Sequence, residues 1–141
     1  PQPNPLLAMR RFAYIGIGLF ESVQPGIIGG SSFGPKLYEM PAMPKPDNSK
    51  DYLWTASANA ALSSMFKLFL TNLTPGDKAS IDAKELSNYN QLSLTTSEDV
   101  MKRSEEFGRS IATAIYNWST TDNFSSYVKH FSSVCGMVIW Y

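Results

Sequence analysis

Four stretches of the sequence carry apolar residues at every third or fourth position, the spacing that gathers them on one face of an α-helix. They lie near residues 5–23, 52–72, 75–92 and 96–119. Because four such faces can be buried only against one another, the sequence predicts an all-α fold, a bundle of about four main helices. A chain of 141 residues is long enough for one domain with a substantial core.

Each predicted helix has a set of apolar residues that we expect to face this core. These are Leu6, Met9, Phe12, Ala13, Ile17, Phe20 and Val23 in the first helix; Trp54, Ala58, Ala61, Leu62, Met65, Leu68 and Phe69 in the second; Ala79, Ala83, Leu86 and Tyr89 in the third; and Val100, Phe107, Ile111, Ala114, Ile115 and Trp118 in the fourth. The small residues at 56–61 let a neighbouring helix come close, which predicts a central place for the second helix. The third helix is expected to turn four charged residues toward water: Lys78, Asp82, Lys84 and Glu85.

Polar residues before the helices predict where three of them begin. A short polar side chain at this position can accept a hydrogen bond from a free backbone N–H of the first turn. The predicted caps are Asp51 or Ser49 for the second helix, Thr74 with Asp77 for the third, and Thr95 with Glu98 for the fourth.

The fourth helix also carries three acidic residues, each followed four positions later by a basic one. The pairs are Glu98 with Lys102, Asp99 with Arg103, and Glu105 with Arg109. This order and spacing favour ion pairs on a solvated helix surface. We therefore interpret the three basic residues as surface partners in preference to an anion site.

Two segments depart from the helical pattern. Residues 24–51 are rich in glycine and proline and predict a long loop between the first two helices, of a length that is uncommon unless the loop is functional or covers a surface. Residues 124–141 form an atypical apolar tail, which we expect to dock in a groove, to pair as a strand or to have been cut from something longer. The helical bundle is accordingly assigned to residues 1–123.

Composition excludes several classes of function. Twelve basic and twelve acidic side chains cancel, and no basic block is present, so we expect no nucleic-acid partner. The longest early apolar run, residues 12–20, is about half of what a bilayer requires and predicts no membrane span. The chain begins with Pro1, so we expect any export signal to have been removed or never included.

The sequence offers no self-sufficient catalytic, cofactor-binding or metal site. His130 is the single histidine and has no metal-ligand spacing around it, and Cys135, the single cysteine, lies among apolar residues that favour an inert thiol. The adjacent Glu105 and Glu106 point about 100° apart on a helix, which argues against an acid/base couple. Four glycines of the predicted loop lack the order of a dinucleotide fingerprint: Gly26, Gly29, Gly30 and Gly34.

Three segments resemble a known family. Residues 10–23, residues 58–62, and residues 107–112 with Trp118 are similar to the amino-terminal helices of bacterial vanadium-dependent haloperoxidases and their type 2 phosphatidic acid phosphatase relatives. The resemblance covers roughly residues 5–123 and consists of helix-packing residues. In that family, vanadate or phosphate is held by Lys-x6-Arg-Pro, Pro-Ser-Gly-His and Ser-Arg-x5-His segments, and none of these occurs in the sequence.

The resemblance implies that the chain is an amino-terminal scaffold whose oxyanion-binding half is absent, and it implies an extracytoplasmic location, periplasmic or secreted. The alternative is a free-standing helical module that binds a protein partner through the loop and the tail. Charged residues make up only 17% of the chain, which favours a surface that is partly covered. We therefore expect self-association, through the tail residues 134–141 and through helix residues short of partners: Trp54, Phe66, Leu70 and Trp118.

Overall fold

The computed structural model describes residues 5–124, and over this range the chain is helical, with no strand. The helices are α1 (Pro5–Val23), α2 (Trp54–Phe69), α3 (Pro75–Leu92) and α4 (Glu98–Ser119), with a short 3-10 turn at Gln24–Gly26. The all-α bundle is thus confirmed, and every observed helix bound lies within three residues of its predicted place. The predicted tail, with His130 and Cys135, lies outside the described residues apart from Phe124.

Helix α2 occupies the centre of the bundle, as its small residues predict. It contacts α1, α3 and α4, and its most extensive contact is with α4. Ala56, Ser57, Ala60 and Ala61 are all buried, so neighbouring backbones can approach α2 closely. The core formed around it consists mainly of Ile15, Ala61, Met65, Phe69, Phe107, Ile111, Ala112 and Ile115.

The predicted inward face of α1 is wrong over its first half. Met9 is 69% exposed and Phe12 63% exposed, and Ala13 is exposed as well. The buried residues of α1 are instead Ile15, Gly18, Glu21 and Ser22. Because α1 is apolar almost all round, its hydrophobic pattern does not select a face, and the small residues that permit close packing decide it.

Helix α3 also packs on a face that its apolar residues did not predict. None of its residues is buried, and Ala79, Ala83 and Leu86 are exposed. The half-buried Glu85, which was expected to face water, points toward α2 and α4. The helix is therefore attached to the bundle largely through polar contacts, which hydrophobic periodicity does not detect.

One of the three predicted helix caps is confirmed. Thr74 and Asp77 form the reciprocal capping box at the start of α3. Helix α4 is preceded by Ser97 in the capping position, where Thr95 was expected, and helix α2 by Leu53, with no side-chain cap on either. The backbone N–H of Leu53 donates at 2.8 Å to Ser104 Oγ of α4, so a distant residue fixes the start of α2.

The glycine- and proline-rich segment between α1 and α2 is a loop, as predicted, and it contributes to the core. Met40 and Met43 are buried in the central apolar cluster. Phe33 packs on Phe20 of α1, with 4.4 Å between ring centroids. The loop therefore covers the carboxyl-terminal half of α1 and leaves the amino-terminal half open.

Candidate functional site

Helices α1, α2 and α4, which carry the segments of the sequence resemblance, share one buried core, with Ile15, Ala61 and Ile111 in the same apolar cluster. Ser57 Oγ of α2 donates at 2.8 Å to the backbone carbonyl of Ser22 in α1, and both residues are fully buried. Gly108 of α4 also lies so close to α2 that a Cβ there would overlap the carbonyl oxygen of Ser57. We refer to Ser22, Ser57 and Gly108 as the helix junction.

A second close approach lies next to the helix junction. A Cβ at Gly18 of α1 would overlap Sδ of Met65 and would stand 3.5 Å from Cγ1 of Ile115. Met65 and Ile115 are both completely buried. The three helices thus meet through small residues on α1 and α4 and a flexible thioether on α2, a combination that fills irregular space.

Glu21 connects the helix junction to the loop and is the functional residue that sequence reasoning missed. Its side chain is 1% exposed, and Oε1 accepts hydrogen bonds from the backbone N–H of Phe33 at 2.6 Å and from Ser32 Oγ at 3.1 Å. The other oxygen, Oε2, is buried and has no hydrogen-bond partner among the described residues. The sequence did carry one signal for this role, since Glu21 is the single acidic residue of the largely apolar helix α1.

A cavity of about 710 Å³ lies within the loop. Its lining combines small residues such as Gly30, Ser32 and Gly34 with Met40 and Met43, and Lys45 is the one charged residue among the described residues that line it. The other two loop glycines have structural roles. Gly26 leaves room for the indole of Trp54, and Gly29 adopts a positive φ of 74° that favours glycine. The cavity can admit a small molecule or a peptide side chain, and its polar groups fix no particular chemistry.

A charged cluster joins the start of α1 to the end of α4. The guanidinium of Arg10 donates to both carboxylate oxygens of Asp122, at 2.7 and 3.1 Å, and to the carbonyl of Ser119. Tyr14 donates to the same carboxylate at 3.1 Å. The pKa of the Tyr14 phenol is raised, chiefly by burial and to a lesser extent by the hydrogen bond to Asp122. Partial burial would raise the pKa of Asp122, but the hydrogen bonds from Arg10 and from the Phe124 N–H outweigh it and hold this pKa below its ordinary value.

Replacing Asp122 by asparagine is expected to lower the free energy of unfolding at pH 7 by about 1 kcal/mol, because Arg10 loses its bidentate partner. Because the pKa of Asp122 is lower in the folded than in the unfolded chain, its ionised carboxylate stabilises the fold. This contribution to the free energy of unfolding is complete above the unfolded pKa of about 3.9 and is lost as the pH falls through the folded pKa. Urea titrations at pH 7 and below pH 4 should therefore show the difference shrinking on acidification. Asp51→Asn, in the exposed loop, is the control, and an equal loss there would contradict the assignment.

A second charged cluster holds α3 to the bundle, with Glu85 at its centre. This carboxylate accepts from Arg109 of α4 at 2.5 Å and from Ser63 Oγ of α2 at 2.5 Å, and Lys67 lies 3.7 Å away. Nearby, Asn59 donates to the backbone carbonyl of Glu85 at 3.0 Å. Both carboxylate oxygens are thus engaged by neighbouring helices, so Glu85 acts as a crosslink between α2, α3 and α4.

The predicted ion pairs along α4 are only partly present. Glu105 lies 3.7 Å from Arg109, but the shorter contact of Arg109 is with Glu85. Among the described residues, the predicted pairs of Lys102 and Arg103 with acids four positions earlier are not formed, and Arg103 instead lies over the ring of Tyr52, 5.6 Å from its centroid. Burial raises the pKa of Glu105, against the opposing effect of Arg109.

Two of the residues expected to lack partners, Trp54 and Trp118, are partly buried and contact other aromatic rings of the chain. Trp54 stacks on Tyr52 at 5.3 Å and meets the edge of Phe107 at 5.9 Å. Trp118 meets Tyr14 at 5.1 Å in an edge-on contact. The expectation that these two tryptophans lack partners within the chain is therefore wrong.

Between residues 5 and 124, no three histidine, cysteine, aspartate or glutamate side chains are grouped so that they could hold a metal ion. In the same range no helix is long and apolar enough to cross a membrane. No protein-family model, curated protein or solved structure matches the chain. The described geometry is thus that of close helix packing reinforced by buried polar contacts.

Proposed function

We propose that the chain is the amino-terminal helical scaffold of a vanadium haloperoxidase-like or acid phosphatase-like protein. The observation that supports this is the convergence of its three family-like segments. Ile15 belongs to the first, Ala61 to the second and Ile111 to the third, and all three lie in one buried apolar cluster. A Cβ on Gly108 of the third segment would also lie 3.1 Å from the backbone nitrogen of Ala61. Residues that are similar to a family's packing residues are expected to meet in space when they maintain the same arrangement.

In this proposal the described residues supply rigidity and no chemical step. The helix junction and the Gly18 contact fix α1, α2 and α4, while Glu21 fixes the loop against them. Vanadate or phosphate would be bound by segments that this sequence does not contain. Their positioned charges normally supply the largest share of catalysis at an oxyanion.

We expect the purified 141-residue chain neither to hydrolyse p-nitrophenyl phosphate nor to oxidise bromide in the presence of vanadate and peroxide. The reason is that it lacks the arginine and histidine segments that bind the oxyanion in the family. The natural reading frame that encodes the chain should carry these segments downstream of Tyr141, and its full product should show one of the two activities. Turnover by the chain alone, or a reading frame without the segments, would contradict the proposal.

The second candidate function is a free-standing helical module that binds a protein partner. Two observations favour it: the 710 Å³ cavity in the loop and the exposed apolar face at the start of α1. The sequence of the natural reading frame separates the two candidates, because an independent module needs no oxyanion-binding segments after it.

A further inference from the structure

Helix α1 turns its charged side chains inward and to the edges. Arg10 is bound to Asp122 and Ser119, and Arg11 donates at 2.9 Å to Thr71 Oγ1 after α2. Glu21 is buried against the loop. Each charged residue of α1 is therefore engaged by the rest of the bundle, and none is left for the outward face.

The outward face of α1 consists of Met9, Phe12, Ala13 and Gly16. Successive helical residues are about 100° apart, which places these four within one arc of roughly 100°. Met9 and Phe12 are more than 60% exposed, and a Cβ on Gly16 would meet nothing within 4 Å. The face is thus two large apolar side chains beside an open notch, with no charged residue.

The same stripe is already covered further along the helix. Phe20 continues the arc, and there the loop lays Phe33 over it. Within residues 5–124, this ring contact covers the stripe at Phe20, whereas Met9 and Phe12 on the same stripe are exposed.

We propose that two copies of the chain pair through this outward face, with their α1 helices antiparallel. Large residues lie toward one end of the face and small residues toward the other, so a two-fold axis brings Met9 and Phe12 of each copy onto Gly16 and Ala13 of its partner copy. The face is uncharged, so like charges do not oppose the pairing. A membrane surface is less favoured, because membrane-surface helices carry lysine or arginine around the apolar face and both arginines of α1 are bound within the bundle.

The small area of this face determines how tightly the two copies are expected to bind. One helix-to-helix contact buries less than the roughly 800 Å² per partner of a standard stable interface. The dimer should therefore be reversible, with a dissociation constant on the order of tens of micromolar. This inference does not depend on the proposed scaffold function, and the enzyme assays do not test it.

Sedimentation velocity over about 1 to 300 micromolar protein spans the expected dissociation constant and tests the pairing. We expect the wild-type mass to rise from one chain toward two, and Phe12→Asp to remain monomeric throughout. Ile28→Asp is the matched control, since Ile28 is a fully exposed apolar residue outside α1. Circular dichroism should show both variants as helical as the wild type, because neither residue is buried.

The antiparallel arrangement has its own test. In a Cys135→Ser background, oxidation of a mixture of Met9→Cys and Gly16→Cys chains should yield chiefly the mixed disulfide dimer. A dominant Met9→Cys homodimer would overturn the geometry. A wild-type chain that stays monomeric overturns the pairing, as does equal weakening by Phe12→Asp and Ile28→Asp. Monomeric chain that cosediments with phosphatidylglycerol vesicles through Phe12 would assign the face to a membrane and likewise overturn it.

Discussion

Replacing Gly108 by alanine is expected to reduce the free energy of unfolding by about 3 kcal/mol, a large part of the stability of a domain of this size. The added methyl group would overlap the carbonyl oxygen of Ser57 and would lie 3.1 Å from the backbone nitrogen of Ala61. Both atoms belong to the backbone of α2, so no rotamer change relieves the overlap. The helices must separate, which also loosens the packing of Ile111 and Ile115 one and two turns further along α4.

Gly16→Ala is the matched control for this experiment. Gly16 is also inside a helix, so alanine brings the same gain in helix propensity, about 1 kcal/mol, at both positions. At Gly16 the new methyl group meets nothing within 4 Å, and the variant should be slightly more stable than the wild type. Urea titrations at about 1 micromolar, well below the expected dissociation constant, keep association out of the comparison. Equal stabilities for the two variants would show that α2 and α4 do not cross as described.

The helices of this chain were predictable because their signals are local. Thr74, Pro75 and Asp77 lie within four residues of one another and specify the start of α3 without help from the rest of the fold. The small residues of α2 likewise predict a central helix whichever neighbour approaches it. Periodic apolar residues and caps of this kind depend on contacts that a short segment makes with itself.

The faces of α1 and α3 were not predictable in the same way. In α1 the sequence pattern has apolar residues on every side, so it does not indicate which face is buried. The buried face is the one that carries Gly18 and Ser22, whose small size matters only because Met65 and Ser57 pack beside them. In α3 the contacts are made by Glu85, a residue that in isolation looks solvent-exposed. Polar contacts between residues distant in sequence leave no periodic signal.

The candidate site shows the same division. The small residues at 56–61 predicted that α2 is central, but the hydrogen bonds from Leu53 to Ser104 and from Phe33 to Glu21 join residues that are distant in sequence. Each joins a helix to an irregular segment whose course the sequence does not specify. Glycine and proline indicate that residues 24–51 form a loop, and they do not indicate where its Met40 and Met43 enter the core.

Replacing Glu21 by alanine is expected to lower the free energy of unfolding by about 3 kcal/mol. The variant leaves the partly buried backbone N–H of Phe33 without its 2.6 Å acceptor and opens a cavity at the buried position of Glu21 beside α1. Since Phe33 covers Phe20, and Met40 and Met43 follow in the same loop, loss of this anchor should release apolar residues together. Limited proteolysis should then cleave within residues 27–53 faster than in the wild type.

Glu21→Gln separates the anchoring hydrogen bond from the charge. Its carbonyl oxygen can replace Oε1 as the acceptor for Phe33 and Ser32, and its amide group takes the place of Oε2, which has no partner among the described residues. Removing an unpartnered buried carboxylate oxygen offsets the weaker, uncharged hydrogen bond, so the glutamine variant should stay within about 1 kcal/mol of the wild type. If both variants lose stability equally, the charge itself matters and Oε2 has a partner. If neither does, the loop is held by its apolar contacts alone, since the carboxylate is then dispensable.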